Sequence, residues 1–429
     1  SNLIKEESRR HRYAARALEF ARDELDRDTV VRINLDQYDD LLSDDVLKPV
    51  VLFLVTEDWY FLSHRLPTAN AAAKAGARVI VATSCGKRFR EIEAHGFEVI
   101  DIPISRFSLS PAKELMTIIN VWRVFRSLRP TIVHNVAWKP ILYGSIAGRL
   151  AGVPKIINNF CGLGMVFTSH EKRFLLLRFV VVTIFRALSK SKQHIMLFQN
   201  RDDWAHLAGL GIGQEANYRL VPGSGVDLDK FPIRDSTKKV MNFAIVSRMI
   251  RDKGVLECVA AIKWLADQGI QCKLLLVGEP DPKNPQSISQ EELQAWSEHS
   301  HIEYCGFVND IKSIWDRAEV ALLPSYYGEG VPKCLLEAAA SGRPLIATDM
   351  PGCRDVVRDG YNGYLVKPRD VADLAAKIRM LLNEPEQIPV MGQASRIHIR
   401  ENFSSEVVTK IMENIYLEQL GSRKAMEVS

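Results

Sequence analysis

Apolar positions recur along this chain with two alternating rhythms. Val50–Thr56, Arg78–Thr83, Glu98–Ile102, Thr131–His134, Lys155–Asn158 and His194–Gln199 are short apolar runs, the pattern of strands covered on both faces. Longer segments between them carry apolar residues at helical spacing. In Pro111–Leu128, for example, Leu115, Ile119, Trp122 and Phe125 lie close to one face. This alternation predicts an open parallel sheet with helices on both sides. Breakers cluster at Val221-Pro222-Gly223-Ser224-Gly225 and read as a linker. The rhythm then restarts with Met241–Ser247, Cys272–Val277, His301–Cys305, Val320–Pro324, Arg343–Ala347 and Gly363–Val366. The prediction is an α/β chain with two Rossmann-like domains facing each other across a deep cleft. The first spans 49–222, completed by a C-terminal helix at 404–429, and the second spans 223–403. In such sheets ligands bind beyond the carboxyl ends of the strands, so the residues that follow each strand carry the chemistry.

Residues 1–48 stand apart as an N-terminal helical extension. Positions 5–27 form a helical pattern rich in Arg, Glu and Ala, and Lys48-Pro49 closes the segment. A solvated helix accounts for it; docking and oligomerisation are the other readings. Its first 27 residues lack the apolar core of a secretory leader, so none is expected there. The seven cysteines form no C-x-x-C pair, which argues against a zinc site or a disulfide framework and fits a reducing cytoplasm. A net charge of +4, with no basic run interleaved with aromatics, offers no nucleic-acid groove. The most apolar stretch, Phe174–Leu188, carries Arg178 and Arg186 and is shorter than the roughly 20 residues of a membrane span.

The densest candidate chemistry follows Val320–Pro324. Ser325-Tyr326-Tyr327-Gly328-Glu329-Gly330-Val331-Pro332-Lys333 leads into a helix that Ser341-Gly342 ends. Two glycines make a pliable turn, and Pro332 suits the first helical position. The N–H groups at Val331, Lys333 and the positions around them are placed to hold a phosphate. Glu329 in the loop and Glu337 in the helix are carboxylates able to accept from the vicinal hydroxyls of a ribose or hexose. Together they would grip the sugars on either side of a diphosphate; the plainer reading is a capping Glu329 and an exposed Glu337. Two carboxylates repel a diphosphate unless cations compensate. Arg248 and Lys253, just after Met241–Ser247, offer a planar fork and a point charge at another strand end, unless they are merely solvated loop cations.

The first half offers a second set. Ser63 is a plausible N-cap, which would put His64 and Arg65 in the first turn of a helix, favourable only if an anion binds there. A second diphosphate, on an acceptor, would be such an anion; alternatively Arg65 pairs with Glu57 or Asp58. His134 and Lys139 straddle another strand end, with a structural histidine as the alternative. Lys172, Arg173, Arg178, Arg186, Lys190 and Lys192 surround Phe174–Leu188. Apolar residues flanked by cations suit a helix lying on an anionic membrane, and equally a buried helix of the first domain.

Residues 50–420 resemble the GT4 glycosyltransferases, a retaining family with the GT-B fold. The resemblance rests on SRMIRDKG at 247–254, LLLVGEP at 274–280, CGFVNDI at 305–311, ALLPSYYGEGVPKCLLEAAASGRPLIATDMPGCRDVV at 321–357 and DGYNGYLVKP at 359–368. It implies that Arg248 and Lys253 bind the donor diphosphate, Glu337 the ribose and Glu329 the transferred sugar. Gly330, Val331, Pro332, Lys333 and Gly278 would belong to the donor site, with Phe307 and Val308 in the loop that holds the base. The resemblance further implies a nucleoside diphosphate sugar as donor, UDP-linked by family habit, and no metal cofactor. GVDLDKF at 225–231 resembles the family's interdomain stretch, so Asp227 and Asp229 are not read as a metal pair. Many members carry a second histidine two residues after the first, touching the transferred sugar; here that position is Val136, and His134 is a partial substitute. DWYFLSHRLP at 58–67, KPILYGSIAGRLAGVPKIIN at 139–158, GLGMVFTS at 162–169 and LFQNRDDW at 197–204 resemble the branch that elongates polyprenyl-diphosphate-linked sugars. His64, Arg65 and Lys139 would then contact a lipid-linked acceptor, with the protein cytoplasmic and peripheral on the inner membrane. A soluble acceptor, a GT-B nucleotide-sugar epimerase and a non-catalytic subunit are the rival readings.

Overall fold

Among the described residues, thirteen parallel strands form two sheets. β1 (Val50–Glu57), β2 (Arg78–Ser84), β3 (Glu98–Asp101), β4 (Ile132–Val136), β5 (Lys155–Asn159), β6 (His194–Phe198) and β7 (Tyr218–Leu220) make the first, in the order β3-β2-β1-β4-β5-β6-β7. β8 (Met241–Val246), β9 (Cys272–Val277), β10 (Ile302–Gly306), β11 (Val320–Leu323), β12 (Leu345–Thr348) and β13 (Gly363–Val366) make the second, in the order β10-β9-β8-β11-β12-β13. Both are doubly wound, with the direction of winding reversing between β1 and β4 and between β8 and β11. The α/β expectation holds, and the edge strand β7 is an addition to it. The structure is a computed structural model and describes residues 11–19 and 48–421, except 106–107, 109, 165–166, 168–171, 190, 192 and 234–239. Lys190, Lys192 and the side chains of Lys172 and Arg173 lie outside the described residues, as do 5–10 and 20–27 of the opening pattern.

The chain divides into two compact units, residues 1–49 and 50–429. In the first, 11–19 are helical. Everything below concerns the second. Its strands alternate between two buried layers because successive side chains point to opposite faces. On β1, Val51, Phe53 and Val55 join one core cluster and Leu52 and Leu54 another. On β9, Leu274 and Leu276 face one cluster and Leu275 and Val277 the other.

The helix Ser405–Leu420 returns to the first sheet. Ser404 caps it by accepting from Val407 N–H. Val408, Met412, Ile415 and Tyr416, at helical spacing, enter the cluster that holds Val51 and Phe53. Nearby, Val226 and Ser404 pair where the chain passes between the two sheets in each direction.

Two helices differ from expectation. In Pro111–Leu128 the buried residues are Val121 and Phe125, while Leu115 is 59% and Trp122 37% exposed. The core-facing stripe is therefore rotated away from the one read in the sequence. Lys172–Leu188 packs into the first domain along one face only. Val181, Val182, Phe185 and Leu188 are buried, while Phe179 is 71% and Val180 46% exposed. No helix among the described residues is long and apolar enough to cross a membrane.

Candidate active site

The segments after β8 and β11 meet at the switch point of the second sheet. Lys253 forms an ion pair and hydrogen bond with Glu329, and Ser325 Oγ donates to the same carboxylate at 2.9 Å. Both partners are nearly enclosed, with side chains 13% and 11% exposed. Burial disfavours the Lys253 ammonium, but the charge and hydrogen bond of Glu329 outweigh that, so its pKa lies above the ordinary lysine value. Lys253 also sits 5.4 Å from the centroid of Tyr327. Arg248 pairs with Asp281 at 2.6 Å and keeps a side chain 31% exposed. Glu337 faces Lys333 at 3.4 Å, and burial raises its pKa against the pull of that lysine. Glu329 is thus buried in an ion pair, and Glu337 is enclosed, not solvated.

The glycines of the turn serve a purpose other than pliability. Neither Gly328 nor Gly330 has a positive φ. A Cβ on Gly330 would lie 2.2 Å from Gln199 Oε1 and 3.0 Å from the Cys161 carbonyl carbon, so the residue is small to admit the first domain. Val331 N–H, read above as a phosphate donor, instead donates to Gln199 Oε1 at 2.7 Å. The helix starts at Lys333 with Pro332 at its N-cap, one residue later than expected. On the far side, Gly278 N–H donates to Gly306 O at 2.8 Å, tying the loops after β9 and β10 together. Phe307 stands 64% exposed there, while Val308 packs on the core beneath.

The first-domain residues separate. The helix after β1 is Asp58–His64, so Ser63 is near its end and caps nothing. His64 and Arg65 sit at the junction with a second helix, Leu66–Lys74. Their placement touches the second domain: Lys333 Nζ donates to Ser63 O at 2.9 Å. Arg65 is 1% exposed and donates to Cys161 Sγ at 3.0 Å rather than to Glu57 or Asp58. Asp58 instead accepts from the N–H groups of Gly86 and Arg88.

His134 does not reach the cleft. Its ring is fully buried, stacks on Phe53 at 4.8 Å and shares a 2.7 Å hydrogen bond with Tyr416 on the returning helix. Burial, then the charge of Arg65, hold its pKa well below the ordinary histidine value. It is a core histidine, and the catalytic role expected for it is withdrawn. Lys139 is also committed elsewhere: its ammonium donates to Ser105 O, Ser108 O and Glu114 Oε1 at 2.9, 2.6 and 3.0 Å. Those bonds use all three of its N–H groups, leaving none for an acceptor.

A strand-end cation paired with a carboxylate beside a glycine turn, at a switch point, is a place to bind a diphosphate next to hydroxyl groups. The family model described as glycosyl transferases group 1 matches residues 241–384, and the one described as glycosyl transferase 4-like matches 50–200. The chain belongs to the GT4-type glycosyltransferases. This transferase is similar to N,N'-diacetylbacillosaminyl-diphospho-undecaprenol alpha-1,3-N-acetylgalactosaminyltransferase of Campylobacter jejuni, with 27% identity over 76% of this chain and 89% of that one. It is 23% identical to UDP-Gal:alpha-D-GlcNAc-diphosphoundecaprenol alpha-1,3-galactosyltransferase of Escherichia coli, over 74% and 83% of the two chains. In fold it matches Anabaena HepE in complex with UDP-glucose, with a TM-score of 0.68 at 17% identity over 87% and 99% of the chains. The transferase has the GT-B architecture.

Some site residues were not singled out in the sequence. Gln199 lies in the stretch LFQNRDDW, immediately after β6, and its position after a strand is the signal that marks it. Ser325 carries the same signal, directly after the predicted strand Val320–Pro324, whereas Gly162 and Gly352 had none. Gly162 packs where a Cβ would meet Gly328 O at 2.4 Å, and Gly352 where one would meet Gly330 O at 1.5 Å.

Proposed function

We propose that the transferase moves a hexose or N-acetylhexosamine from a UDP-linked sugar to a sugar carried on a polyprenyl diphosphate, in surface polysaccharide or glycan assembly, with retention at the anomeric carbon. The observation that carries the donor half is the enclosed Lys253–Glu329 pair at the switch point. As the bond from the anomeric carbon to the diphosphate lengthens, negative charge grows on the leaving oxygen. Preorganised cations in an enclosed site stabilise that charge without further reorganisation. Lys253 and Arg248 fill that role in this reading, so catalysis needs no metal ion. Glu329 orients the transferred sugar, Glu337 the ribose, and exposed Phe307 offers a face to the base.

The acceptor half draws on the two relatives, whose names specify diphospho-undecaprenol-linked sugars. The test is to incubate the protein in EDTA with UDP-galactose and, separately, UDP-N-acetylgalactosamine, using an N-acetylglucosaminyl-diphospho-polyprenol as acceptor. One sugar should be added with an α-configured anomeric proton by NMR. An inverted product, or an absolute need for a divalent cation, would contradict the reading.

A membrane-anchored acceptor calls for peripheral contact on the cytoplasmic face. Phe179 and Val180, exposed on Lys172–Leu188 near Arg178 and Arg186, supply an apolar edge flanked by cations. Phe179→Glu/Val180→Glu should reduce flotation with phosphatidylglycerol-containing vesicles several-fold. Unchanged flotation would remove this helix from the membrane contact.

A further inference from the structure

His64 ends the helix that follows β1, and its ring lies flat on Tyr60, with centroids 4.3 Å apart and planes within 9°. Nδ1 is 2.5 Å from Ser63 Oγ. Ser63 Oγ also reaches Tyr60 O at 3.3 Å as a donor, and with its single proton placed there it accepts from Nδ1. The tautomer assigned by this network leaves Nε2 as an unprotonated acceptor. No hydrogen bond to Nε2 occurs among the described residues, and His64 as a whole is half-buried. Nε2 is thus available to a ligand group. Lys333 bonds the neighbouring Ser63 O from the donor domain, and the charges of Lys333 and Lys253 act on the ring, so His64 lies close to the helix start and to the Lys253–Glu329 pair.

An uncharged lone pair repels phosphate oxygens and attracts an O–H group. This rules against the anion-binding role read for His64 in the sequence. The O–H that must come next to the donor diphosphate is the attacking one. We propose that His64 Nε2 accepts a hydrogen bond from the acceptor hydroxyl that attacks the anomeric carbon. This rests on the transferase reading above.

The surroundings also decide how far the proton goes. In the step itself the acceptor oxygen bonds to the anomeric carbon. The bond from that carbon to the diphosphate oxygen breaks, and its electron pair leaves with the nucleotide. Burial, then Lys333 and Arg65, with a smaller contribution from Lys253, hold the His64 pKa well below its ordinary value, against the opposing hydrogen bond to Tyr60. A full imidazolium there would add a positive charge beside three others. The hydroxyl proton points to Nε2 while the oxygen is aimed at the anomeric carbon. As charge grows on the leaving diphosphate oxygen, the hydroxyl turns and gives its proton to that oxygen. Nε2 thus ends the step unprotonated, as it began.

The test compares His64→Ala and His64→Gln with wild type, using UDP-galactose or UDP-N-acetylgalactosamine and an N-acetylglucosaminyl-diphospho-polyprenol. His64→Ala should lose about 100-fold in kcat, the scale expected for a misplaced reactant. Its KM for the donor, and its thermal shift with UDP, should stay near wild type. His64→Gln, whose amide oxygen can accept the same hydrogen bond, should recover at least tenfold of the loss. Wild-type kcat in His64→Ala, or a His64→Gln as slow as His64→Ala, overturns the assignment. Absence of product from wild type would instead refute the transferase reading with these substrates, so the two failures are distinguishable.

Discussion

Lys253→Ala is expected to lower kcat/KM by about 1,000-fold, the scale of losing a charge-stabilising group in an enclosed site. The substitution also strands the Glu329 carboxylate, and breaking a buried ion pair from one side costs about 3–5 kcal/mol. Lost activity in this variant alone would therefore be ambiguous. The double variant Lys253→Gln/Glu329→Gln removes both charges together and retains hydrogen-bonding groups for Ser325. It should melt close to wild type and still be inactive in the same steady-state assay. Turnover within tenfold of wild type in either variant would mean that the pair is structural.

Gly352→Ala should do comparable damage from a distance. Gly352 has φ +79°, and a Cβ there would lie 1.5 Å from Gly330 O and 2.7 Å from Gly330 C. Both atoms are backbone, so the Gly328–Gly330 turn must move by an ångström or more to admit the methyl group. A displacement of that size at a reacting centre costs about 100-fold in rate. Gly269 provides the control. Its φ is +77°, but a Cβ there meets nothing within 4 Å. Gly269→Ala should carry only the left-handed backbone cost, roughly 1–2 kcal/mol, and leave kcat unchanged. Equal kinetics for the two alanine variants, measured at saturating substrates, would show that the turn tolerates displacement.

Much of the fold was legible because buried parallel strands announce themselves as unbroken apolar runs. Cys272–Val277 and Gly363–Val366 match the sequence reading residue for residue. The edge strand Tyr218–Leu220 did not, having three residues, one of them Arg219. Legibility of the site followed sequence distance. Arg248, Lys253 and Glu329 stand in the segments that follow β8 and β11, and these neighbouring strands bring such positions together. His134 had the same local credentials. What distinguishes it is Tyr416, which arrives 282 residues later on a helix that packs under the sheet. The Val331 N–H likewise looked free until Gln199 reached it from 132 residues away. The start of Asp58–His64 was misread for a local reason. A capping serine was sought, whereas the helix begins at Asp58, whose carboxylate is spent on Gly86 and Arg88.

The central claim is that the cleft beside Lys253 and Glu329 holds a nucleoside diphosphate. Isothermal titration of wild type and of the Arg248→Ala/Lys253→Gln variant with UDP, GDP and ADP tests it most directly. The account predicts saturable one-to-one binding of UDP to wild type and at least tenfold weaker binding to the variant. Equal affinity in the two proteins, or no binding of any of the three nucleotides to wild type, would contradict it.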